Sequence, residues 1–466
     1  MPLDRSALSD LGGRLQGPVL TEPETLGRFS HDASFLVGDP AGVASPSDRE
    51  EVVEIVRWAR RWKVPLVARG GGTSLDGESV PPPGALVVDF SGWNALLEVD
   101  LPNRIARVGP GLINRELQRS LAREGLFFPP NPGSWNESTL GGNVATNASG
   151  PRSFRYGPTR SWVRGLEVVL GSGEILRLGH RARRSSTGPD LLGFLVGSEG
   201  TLGLFTEITL GLAPVPERRI GVVLALPSEL DLGRLLVRLT TSPAPNLAAV
   251  EYIDERAAGA LAQEGARGLP PGSSVLLLEL ETTVATEEQD ALRLLERVRS
   301  AGVREDPSVY PNADELWTLR GRSGSALDRW WPRRVREDVA VPWSRIDELL
   351  AEVRALARRS GVELSVYGHL GDGALHPQFL LDPASPEGQS LRSELLVTAH
   401  RLGGTISAEH GIGSVKAPHL GLEHGRDGVE LLRELRRSFD PDGILNPGKL
   451  LPPAEGAAAT RGERST

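Results

Sequence analysis

A stretch of small residues from 130 to 150, PNPGSWNESTLGGNVATNASG, constrains the fold of this chain more than any other feature. It has no apolar periodicity that would predict a helix or a strand, and Glu137 is its only charged residue, which is not the composition of a solvated linker. Small side chains let a backbone approach a flat or bulky ligand, and glycines open the positive-φ conformations in which N–H groups converge on an anion. We therefore predict a long loop that lines the site of a large cofactor.

A second glycine-rich segment, VPLVARGGGTSLD at residues 64–76, supports the same prediction. A short apolar strand runs into three consecutive glycines, and the N–H groups that follow, with the hydroxyls of Thr73 and Ser74, could cradle a pyrophosphate. The pattern is not G-x-G-x-x-G, so it does not predict a Rossmann dinucleotide site. The segment alone leaves open the alternative of a tight surface loop.

Composition excludes several classes of function. The formal net charge of −8, from 52 basic and 60 acidic residues, argues against a nucleic-acid partner held by bulk charge. The absence of cysteine excludes disulfides, thiolate metal ligands, iron–sulfur clusters and a cysteinyl link to a cofactor. The N-terminal residues lack a basic region followed by an apolar block, and no apolar run reaches membrane-spanning length. We therefore expect a cytoplasmic protein without a transmembrane segment, and peripheral membrane contact stays open.

The length of 466 residues exceeds what one hydrophobic core usually supports and predicts two domains. Helices that alternate with short strands up to residue 212 indicate an α/β or α+β unit, and APVPE at 213–217 marks a boundary because two prolines interrupt any regular element. Beyond it we predict helices stacked on one face of an antiparallel sheet, with strands at 220–226, 248–253, 275–281, 362–368 and 375–381.

Three of the eight histidines cluster with acids and glycines in the second unit. In YGHLGDGALHP, His369 and His376 flank a Gly-Asp-Gly turn, so two strands joined there would bring both imidazoles to one point. SAEHGIG places Glu409 beside His410. A carboxylate with two imidazoles is a common ligand set for zinc or a similar ion with open positions for substrate, whereas either motif alone is equally compatible with a structural role.

Two arginines of the second unit are candidates for binding a carboxylate. Arg320 lies in the helix-like DELWTLRGRSG, and Arg336 precedes the strand DVAVP. Only the planar fork of arginine binds a carboxylate in a bidentate manner. For either residue taken alone, a surface salt bridge is the favoured alternative, because arginine is abundant in this chain.

Seven motifs in order resemble those of the FAD-dependent oxidoreductases of the vanillyl-alcohol-oxidase (PCMH) type, in the branch with an FAD-linked oxidase C-terminal domain. That branch includes D-lactate dehydrogenase, D-2-hydroxyglutarate dehydrogenase and the flavin subunit of glycolate oxidase. The resemblance spans about residues 20 to 450. It rests on GVASPSDREEV at 42, ARGGGTSLDG at 68, PPNPGS with TLGGNVATNASG from 129, TGPDLLGFLVGSEGTLG from 187, GHLGDGALHP at 368, GTISAEHGIG at 404 and FDPDGILNPGKL at 439.

The resemblance implies an α+β fold in four parts. A two-subdomain PCMH-type FAD-binding domain would cover 1–213 and a cap domain with an antiparallel sheet 214–430. Residues 431–453 would return to the FAD domain, and 454–466, small and polar, would form a disordered tail.

The resemblance also implies which residues contact FAD. Relatives with a histidyl-linked flavin carry the histidine in the glycine loop, where this chain reads Arg-Gly-Gly-Gly-Thr, so FAD should be non-covalent. The implied contacts are Arg69, Gly70, Gly71, Gly72, Thr73, Ser74, Leu75, Pro132, Gly133, Ser134, Thr139, Gly141, Gly142, Ala145, Thr146, Asn147, Gly150, Glu199, Gly200, Gly203 and Asn446.

For the histidine cluster, the resemblance implies a metal site and a base. Relatives that act on hydroxy acids use the residues matching His369, His376 and Glu409 as ligands of a divalent metal, Zn or Mn by preference. The residue matching His410 is their base. This chain has Ala374 where the family motif usually has Asn, and the missing amide would weaken contacts to the substrate or to the metal ligands.

The implied reaction is the oxidation of a D-2-hydroxy acid, such as lactate, glycolate or 2-hydroxyglutarate, to the 2-oxo acid. Arginines at the positions of Arg320 and Arg336 would bind the substrate carboxylate, and hydride would pass to flavin N5. The electron acceptor, a quinone, an electron-transfer protein or a cytochrome, is not specified by the sequence, and a homodimer is compatible with it.

Three alternatives stay open at this point. Alkyl-dihydroxyacetone-phosphate synthase resembles the same family and exchanges an ester for an ether without net redox. A flavin-free metallohydrolase could be built on the same histidines and carboxylate. The chain could also be the flavin subunit of a multi-subunit glycolate oxidase that needs partner proteins to pass electrons on.

Overall fold

The N-terminal part of the computed structural model carries three small sheets, of three, five and two strands, and their helices. The structure describes residues 5–241, 244–265, 269 and 272–452, so the predicted tail at 454–466 lies outside the described residues. The elements of this part are α1 (Arg5–Gly12), α2 (Pro23–Phe29), β1 (Pro40–Ala44), α3 (Arg49–Trp62), β2 (Leu66–Arg69), β3 (Ala85–Asp89), β4 (Leu96–Asp100), β5 (Ile105–Val108), α4 (Asn114–Ala122), β6 (Leu126–Phe127), α5 (Leu140–Ala145), α6 (Ser153–Tyr156), β7 (Val163–Val169), β8 (Ile175–Gly179), α7 (Leu191–Leu195), β9 (Leu204–Gly211) and β10 (Ala213–Pro214).

The first sheet is parallel, in the order β1-β3-β2, and α3 packs on it. The apolar face of α3 is buried, including Val52 and Val56. Its N-cap is Asp48, whose side chain accepts a hydrogen bond from the N–H of Glu51. Because β2 ends at Arg69, the strand delivers the glycine loop directly to the edge of the sheet.

The second sheet is antiparallel, in the order β4-β5-β9-β7-β8. β7 and β8 form a hairpin around the turn Gly171-Ser172-Gly173. Helices α4, α5 and α7 pack against this sheet and share one core with it. The small-residue stretch therefore runs along the side of a rigid sheet rather than through solvent.

The cap part contains one large sheet. Its order is β14-β11-β13-β12-β17-β18-β15, and the eighth strand, β16, pairs with β18; every pairing is antiparallel. The elements are β11 (Arg218–Ala225), α8 (Leu232–Thr240), β12 (Leu247–Ile253), α9 (Glu255–Gln263), β13 (Val275–Thr282), α10 (Glu287–Ser300), β14 (Ser308–Tyr310), α11 (Ala313–Gly321), α12 (Ser323–Trp330), β15 (Val335–Arg336), β16 (Val339–Ala340), α13 (Ile346–Ser360), β17 (Leu364–Gly368), β18 (Ala374–Phe379), α14 (Pro386–Arg401) and α15 (Leu420–Phe439).

Helices cover both faces of this sheet, so the prediction that they stack on one face is wrong. Leu276 and Leu278 of β13 belong to a core shared with α8, α10, α13 and α14. Val275 and Leu277 of the same strand belong to a second core shared with α9, α11 and α12. Strands buried on both faces read as continuous apolar runs, and such a run does not reveal how many faces are covered.

The chain returns to the N-terminal part after α15. The N–H of Leu66 in β2 donates to the carbonyl of Ile444 at 2.8 Å, and the N–H of Asn446 donates to the carbonyl of Leu66 at 2.8 Å. Residues 444–446 thus extend the first sheet beside the glycine loop. Among the described residues, none of the helices has both the length and the apolar content that crossing a bilayer requires.

Candidate active site

A cavity of about 560 Å³ lies between the two glycine-rich segments and the cap sheet. It brings together nearly all the residues that the resemblance implies. From the FAD side these are Arg69, Gly70, Gly71, Gly72, Thr73, Ser74, Leu75, Pro132, Gly133, Ser134, Thr139, Gly141, Gly142, Ala145, Thr146, Glu199, Gly200, Gly203 and Asn446, and from the cap Arg320, Arg336, His369, His376, Glu409 and His410.

Two of the implied FAD contacts, Asn147 and Gly150, do not line this cavity. Asn147 has a φ of +53°, and its Oδ1 accepts a hydrogen bond from the N–H of Arg160 at 2.9 Å. Gly150 has a φ of +154°, and a Cβ there would lie 2.3 Å from the carbonyl oxygen of Asn131. Both residues therefore make contacts within the protein and do not line the cavity. Their position in the sequence alone does not distinguish this role from a contact with the ligand.

The glycine loop fits the pyrophosphate of FAD. A Cβ on Gly70 would lie 2.1 Å from Oγ1 of Thr139, and one on Gly71 would lie 2.3 Å from the carbonyl oxygen of Glu137, so this loop packs directly on the small-residue stretch 130–150. In the part of the chain that the structure describes, no acceptor pairs with the N–H groups of residues 71–75. Unpaired N–H groups that border a cavity are the donors that a phosphate requires.

The small-residue stretch is not all loop, contrary to the sequence prediction. Residues 140–145 form α5, whose N-cap Thr139 accepts a hydrogen bond from the N–H of Gly142 at 3.2 Å. Leu140 and Val144 are fully buried against the second sheet. Two apolar side chains four positions apart lie on the same face of a helix, and burying them is enough to stabilise a turn and a half. A helix this short shows no apolar periodicity in the sequence.

Glu199 joins the FAD wall to the cap. This buried residue has a φ of +52°, in the left-handed region, and its carboxylate accepts hydrogen bonds from the N–H groups of Ile412 at 2.7 Å and Gly413 at 2.9 Å. Burial raises its pKa to about 7 against these two hydrogen bonds. Contacts from both parts of the chain stabilise this strained backbone conformation. Strained conformations of this kind are common at functional sites.

The β17–β18 hairpin brings the imidazoles together as predicted. Nε2 of His369 lies 3.0 Å from Oε1 of Glu409, and Nε2 of His376 lies 3.4 Å from the same oxygen. The rings of His376 and His410 stack at 5.0 Å, and Nε2 of His410 lies 3.6 Å from the same oxygen. Donor atoms of His369, His376 and Glu409 all lie within 4.8 Å of one another, a donor set that fits a divalent cation.

Asp338 positions this cluster from behind, and sequence reasoning missed it. One oxygen of its fully buried carboxylate accepts hydrogen bonds from three successive N–H groups, those of Ala408, Glu409 and His410, at 3.0, 2.7 and 2.9 Å. The other oxygen lies 3.2 Å from Nδ1 of His376. The only signal in the sequence is a carboxylate at the start of an otherwise apolar strand.

The charges of the cluster offset the effect of burial on its members. For His369, burial favours the neutral ring, but Glu251 and Glu409 outweigh it and raise the pKa well above its usual value. For His410, burial is likewise outweighed, chiefly by Asp338, and the pKa is raised. For His376 burial prevails and the pKa is lowered. One buried point thus holds rings of different basicity side by side.

Arg320 lines the cavity, and only part of its guanidinium group has a hydrogen-bond partner among the described residues. Its side chain is 11% exposed, Nε donates to Oε2 of Glu251 at 2.7 Å, and Cζ lies 4.9 Å from the centre of the Tyr367 ring. Within the described residues, neither terminal nitrogen has an acceptor. A largely buried guanidinium with both terminal NH₂ groups free at a cavity wall fits a bidentate carboxylate.

Arg336 is more exposed and is partly neutralised. One of its terminal nitrogens lies 2.5 Å from Oδ1 of Asp328, and its side chain is 32% exposed. The neighbouring Arg334 also lines the cavity, but it is spent on structural contacts with Gln378, Asp328 and two carbonyl oxygens. Arg320 therefore differs from these two arginines in having no acceptor at either terminal nitrogen among the described residues.

Comparisons with known proteins identify the family of this chain. Residues 40–179 match the family described as FAD binding domain, and residues 215–450 match FAD linked oxidases, C-terminal domain. The chain is 34% identical over 448 residues to the glycolate oxidase subunit GlcD of Bacillus subtilis, covering 94% of this chain and 95% of that protein. It is 31% identical over 453 residues to D-2-hydroxyglutarate dehydrogenase of Stutzerimonas stutzeri, covering 93% and 96%.

A solved structure of p-cresol methylhydroxylase shares the fold, with a TM-score of 0.78 and 16% identity over 96% of each chain. These findings confirm the family and the α+β fold, with an antiparallel cap sheet, that the resemblance implies. The chain belongs to the FAD-linked oxidases, in which an FAD binding domain is followed by an FAD linked oxidases C-terminal domain.

Proposed function

We propose that this FAD-linked oxidoreductase oxidises a D-2-hydroxy acid, of the lactate, glycolate or 2-hydroxyglutarate kind, to the 2-oxo acid. One observation carries the proposal: the two free terminal nitrogens of Arg320 and the cluster of three imidazoles with Glu409 line the same cavity as the glycine loop. The names of the relatives, a glycolate oxidase subunit and a D-2-hydroxyglutarate dehydrogenase, support the substrate class.

Each residue of the cavity has a separate role in the proposed reaction. Arg320 binds the substrate carboxylate and fixes the orientation of the 2-carbon, and Arg336 at the same wall adds a second positive charge. His410 takes the proton of the 2-hydroxyl at Nε2, the ring nitrogen that faces Glu409, and Asp338 stabilises the resulting imidazolium. FAD, when bound along the glycine loops, supplies the two-electron acceptor, and a divalent cation held by His369, His376 and Glu409 supplies a charge that polarises the hydroxyl.

An anaerobic screen tests the proposal. The purified holoenzyme is mixed with the D and L forms of lactate and 2-hydroxyglutarate, and with glycolate, and the loss of flavin absorbance is followed. We expect bleaching by at least one acid, with the D form faster than the L form. Absence of bleaching by every acid would contradict the proposal. Acid precipitation of the same sample should release the flavin into the supernatant, which checks non-covalent binding.

Removal of the metal is the second test. The donor set fits Zn or Mn, and the polarising charge should matter more for the chemical step than for holding FAD. Dialysis against a chelator is expected to leave the flavin absorbance intact and to lower the rate of flavin reduction at least tenfold, with recovery on addition of Zn²⁺ or Mn²⁺. An unchanged rate in enzyme shown to be metal-free by elemental analysis would remove the metal from the proposal.

A second candidate concerns assembly rather than chemistry. The relative from Bacillus subtilis is named a subunit of glycolate oxidase, and this chain covers 95% of its length. We propose as an alternative that this chain is the flavin subunit of such an assembly and passes electrons to a partner protein. Purification from native cells with an affinity tag, followed by mass spectrometry and acceptor assays, distinguishes the two: a stoichiometric partner needed for turnover supports the subunit, and full turnover by the isolated chain contradicts it.

The non-redox alternative predicts a different outcome of the same screen. An alkyl-dihydroxyacetone-phosphate-synthase-like enzyme would need a cluster of cationic groups for a phosphate. Arg334 is taken up by internal contacts and Arg336 is partly neutralised by Asp328, which leaves Arg320 as the one of these three arginines with both terminal nitrogens free within the described part of the chain. Bleaching of the flavin by a hydroxy acid would exclude this alternative and the flavin-free metallohydrolase together.

A further inference from the structure

Glu251 links the two halves of the candidate site through one carboxylate. It lies in the middle of β12 and is fully buried, the only charged residue of that strand. Its Oε1 lies 2.6 Å from Nδ1 of His369, and its Oε2 accepts a hydrogen bond from Nε of Arg320 at 2.7 Å. Among the described residues these are its only side-chain partners.

The two partners of this carboxylate differ in their hydrogen-bonding capacity. Nε of Arg320 always carries a hydrogen and can only donate. Nδ1 of His369 donates only if the ring carries its proton on that nitrogen, and Nε2 can offer a lone pair to a cation only in that tautomer. Because Glu251 has two acceptor oxygens, it satisfies Arg320 and also imposes the Nδ1–H form on His369.

We propose that Glu251 is a positioning residue that fixes the tautomer of His369 for cation binding while it orients Arg320 for the substrate carboxylate. The inference rests on the proposed assignment of His369 as a metal ligand. Its consequence is that the cation site and the anion site depend on one shared carboxylate, so a change at one is felt at the other. A carboxylate behind a metal-ligating histidine typically changes metal affinity by about 10–100-fold.

The variant Glu251→Gln separates the two tasks. Glutamine keeps the size of the side chain but has one acceptor oxygen and one NH₂ group. The oxygen must face Arg320, which cannot accept, and the NH₂ then faces Nδ1 of His369 and imposes the opposite tautomer, with the hydrogen on Nε2. The variant should therefore lose cation affinity while it keeps Arg320 oriented.

The experiment measures Zn²⁺ affinity of the metal-stripped holoenzyme in competition with a chelating dye, without turnover. We expect Glu251→Gln to bind Zn²⁺ at least about tenfold more weakly than the wild type. The matched control is Glu281→Gln, which removes a buried carboxylate of β13 that binds Arg155 and Tyr156 away from the cavity, and it should stay within twofold. The double variant Glu251→Gln, Arg320→Met frees the amide oxygen for His369 and should regain most of the affinity.

Nitrogen-15 histidine spectra of the metal-free enzymes report the tautomer of His369 directly. A variant that had merely lost structural stability would not show a defined change of tautomer. Nδ1 of His369, assigned by its absence in His369→Gln, should be protonated in the wild type and unprotonated in Glu251→Gln. Wild-type Zn²⁺ affinity in Glu251→Gln, an equal loss in Glu281→Gln, no recovery in the double variant, or an Nδ1 that stays protonated would each overturn the proposal.

A second variant covers the case in which Glu251→Gln does not retain FAD. Arg320→Met keeps the carboxylate and leaves both oxygens to His369, so Zn²⁺ affinity should hold or increase; a tenfold loss would overturn the proposal. A wild-type enzyme that binds no Zn²⁺ would overturn it as well. These outcomes are independent of the hydroxy-acid screen, because flavin bleaching reports on the reaction and Zn²⁺ affinity on the site.

Discussion

Buried carboxylates stand behind the side chains that face the cavity. Asp338 accepts hydrogen bonds from three successive N–H groups of the loop that carries Glu409 and His410, and Glu251 contacts both Arg320 and His369. A buried carboxylate is costly unless it is paired. Glu251 is paired through both oxygens, and Asp338 is paired through the oxygen that accepts the three N–H groups. The atoms that face the cavity are thereby left for ligands.

Replacement of His410 by alanine tests the proposed base. We expect His410→Ala to retain FAD, because its ring contacts the cap cluster, and to reduce its flavin about 10²–10⁴-fold more slowly with the preferred hydroxy acid. Stopped-flow absorbance measures the rate. His424→Ala is the matched control, since that histidine is exposed, and it should behave like the wild type. A wild-type rate in His410→Ala would show that another group takes the proton.

Replacement of Arg320 by lysine tests the carboxylate ligand. Lysine keeps the charge but loses the fork and the Nε–H that Glu251 holds, and hydrogen bonds to charged groups contribute about 1.5–3 kcal/mol. The KM for the hydroxy acid should rise about 10–100-fold, with FAD content unchanged. Arg345→Lys, at an exposed position, controls for the exchange itself. If KM stays constant, the carboxylate docks elsewhere, with Arg336 as the next residue to replace.

At the scale of elements, the cap sheet fixes the spacing of the site. Tyr367 on β17 pairs with His376 on β18, and Arg336 on β15 pairs with Gln378 on β18. Side chains at positions two apart on a strand point to the same face, so His376 and Gln378 share the cavity face. A sheet holds such positions more precisely than a loop would.

Asp254 connects α9 with β17, and its burial leads us to expect that the stability of the fold depends on pH. Its buried carboxylate accepts hydrogen bonds from the N–H of Ala257 at the start of α9 and from the N–H of Val366 in β17. Burial raises its pKa from 3.8 to about 6. A carboxyl whose pKa is higher in the folded chain contributes stability that is full below pH 3.8 and is lost as the pH rises through about 6.

Asp254→Asn removes this contribution from the pH profile. The difference in unfolding temperature between the variant and the wild type should therefore shift in favour of the variant between about pH 4.5 and pH 7. Scanning fluorimetry at both pH values measures it. Asp231→Asn, at the exposed N-cap of α8, is the control for loss of a capping carboxylate. A difference that is the same at both pH values would contradict the assignment.

At the scale of the whole molecule, three segments distant in sequence close the FAD wall. The side-chain NH₂ of Asn446 donates to the carbonyl oxygens of Glu78 at 2.8 Å and Glu199 at 2.7 Å, and its backbone binds Leu66. Asn446 has a φ of +41°, a conformation that asparagine tolerates better than most residues. The C-terminal return thus completes the wall that the glycine-rich segments form on the side of the cavity opposite the cap sheet.

Loss of this amide should weaken the cofactor site. Asn446→Ala leaves two buried carbonyl oxygens without their donor, a cost of about 1–3 kcal/mol, and we expect lower FAD content after purification and a lower unfolding temperature. Added FAD should restore part of that temperature, since a ligand that binds only the folded state stabilises it. Asn103→Ala, in an exposed turn, is the control. Wild-type FAD content in Asn446→Ala would show that the return does not hold the site.

The sequence by itself determined the parts of the site whose members lie close together in the chain. Three glycines after a strand, two histidines around a tight turn and a carboxylate beside a third histidine are local patterns, and short-range backbone geometry places their side chains nearly as predicted. The family followed from the order of such motifs. The domain limits stay a prediction, as do the roles of the individual site residues.

The tertiary structure alone decided the partners of these groups. Glu251 lies 118 residues from His369 and 69 from Arg320, and Asp338 lies 72 residues from His410, so no local pattern links them. The same holds for α5, which is stable because a sheet buries its two apolar residues, and for the helices on both faces of the cap sheet. Burial and the pairing of buried charges depend on what the rest of the chain places nearby, and this information resides in packing rather than in neighbouring letters of the sequence.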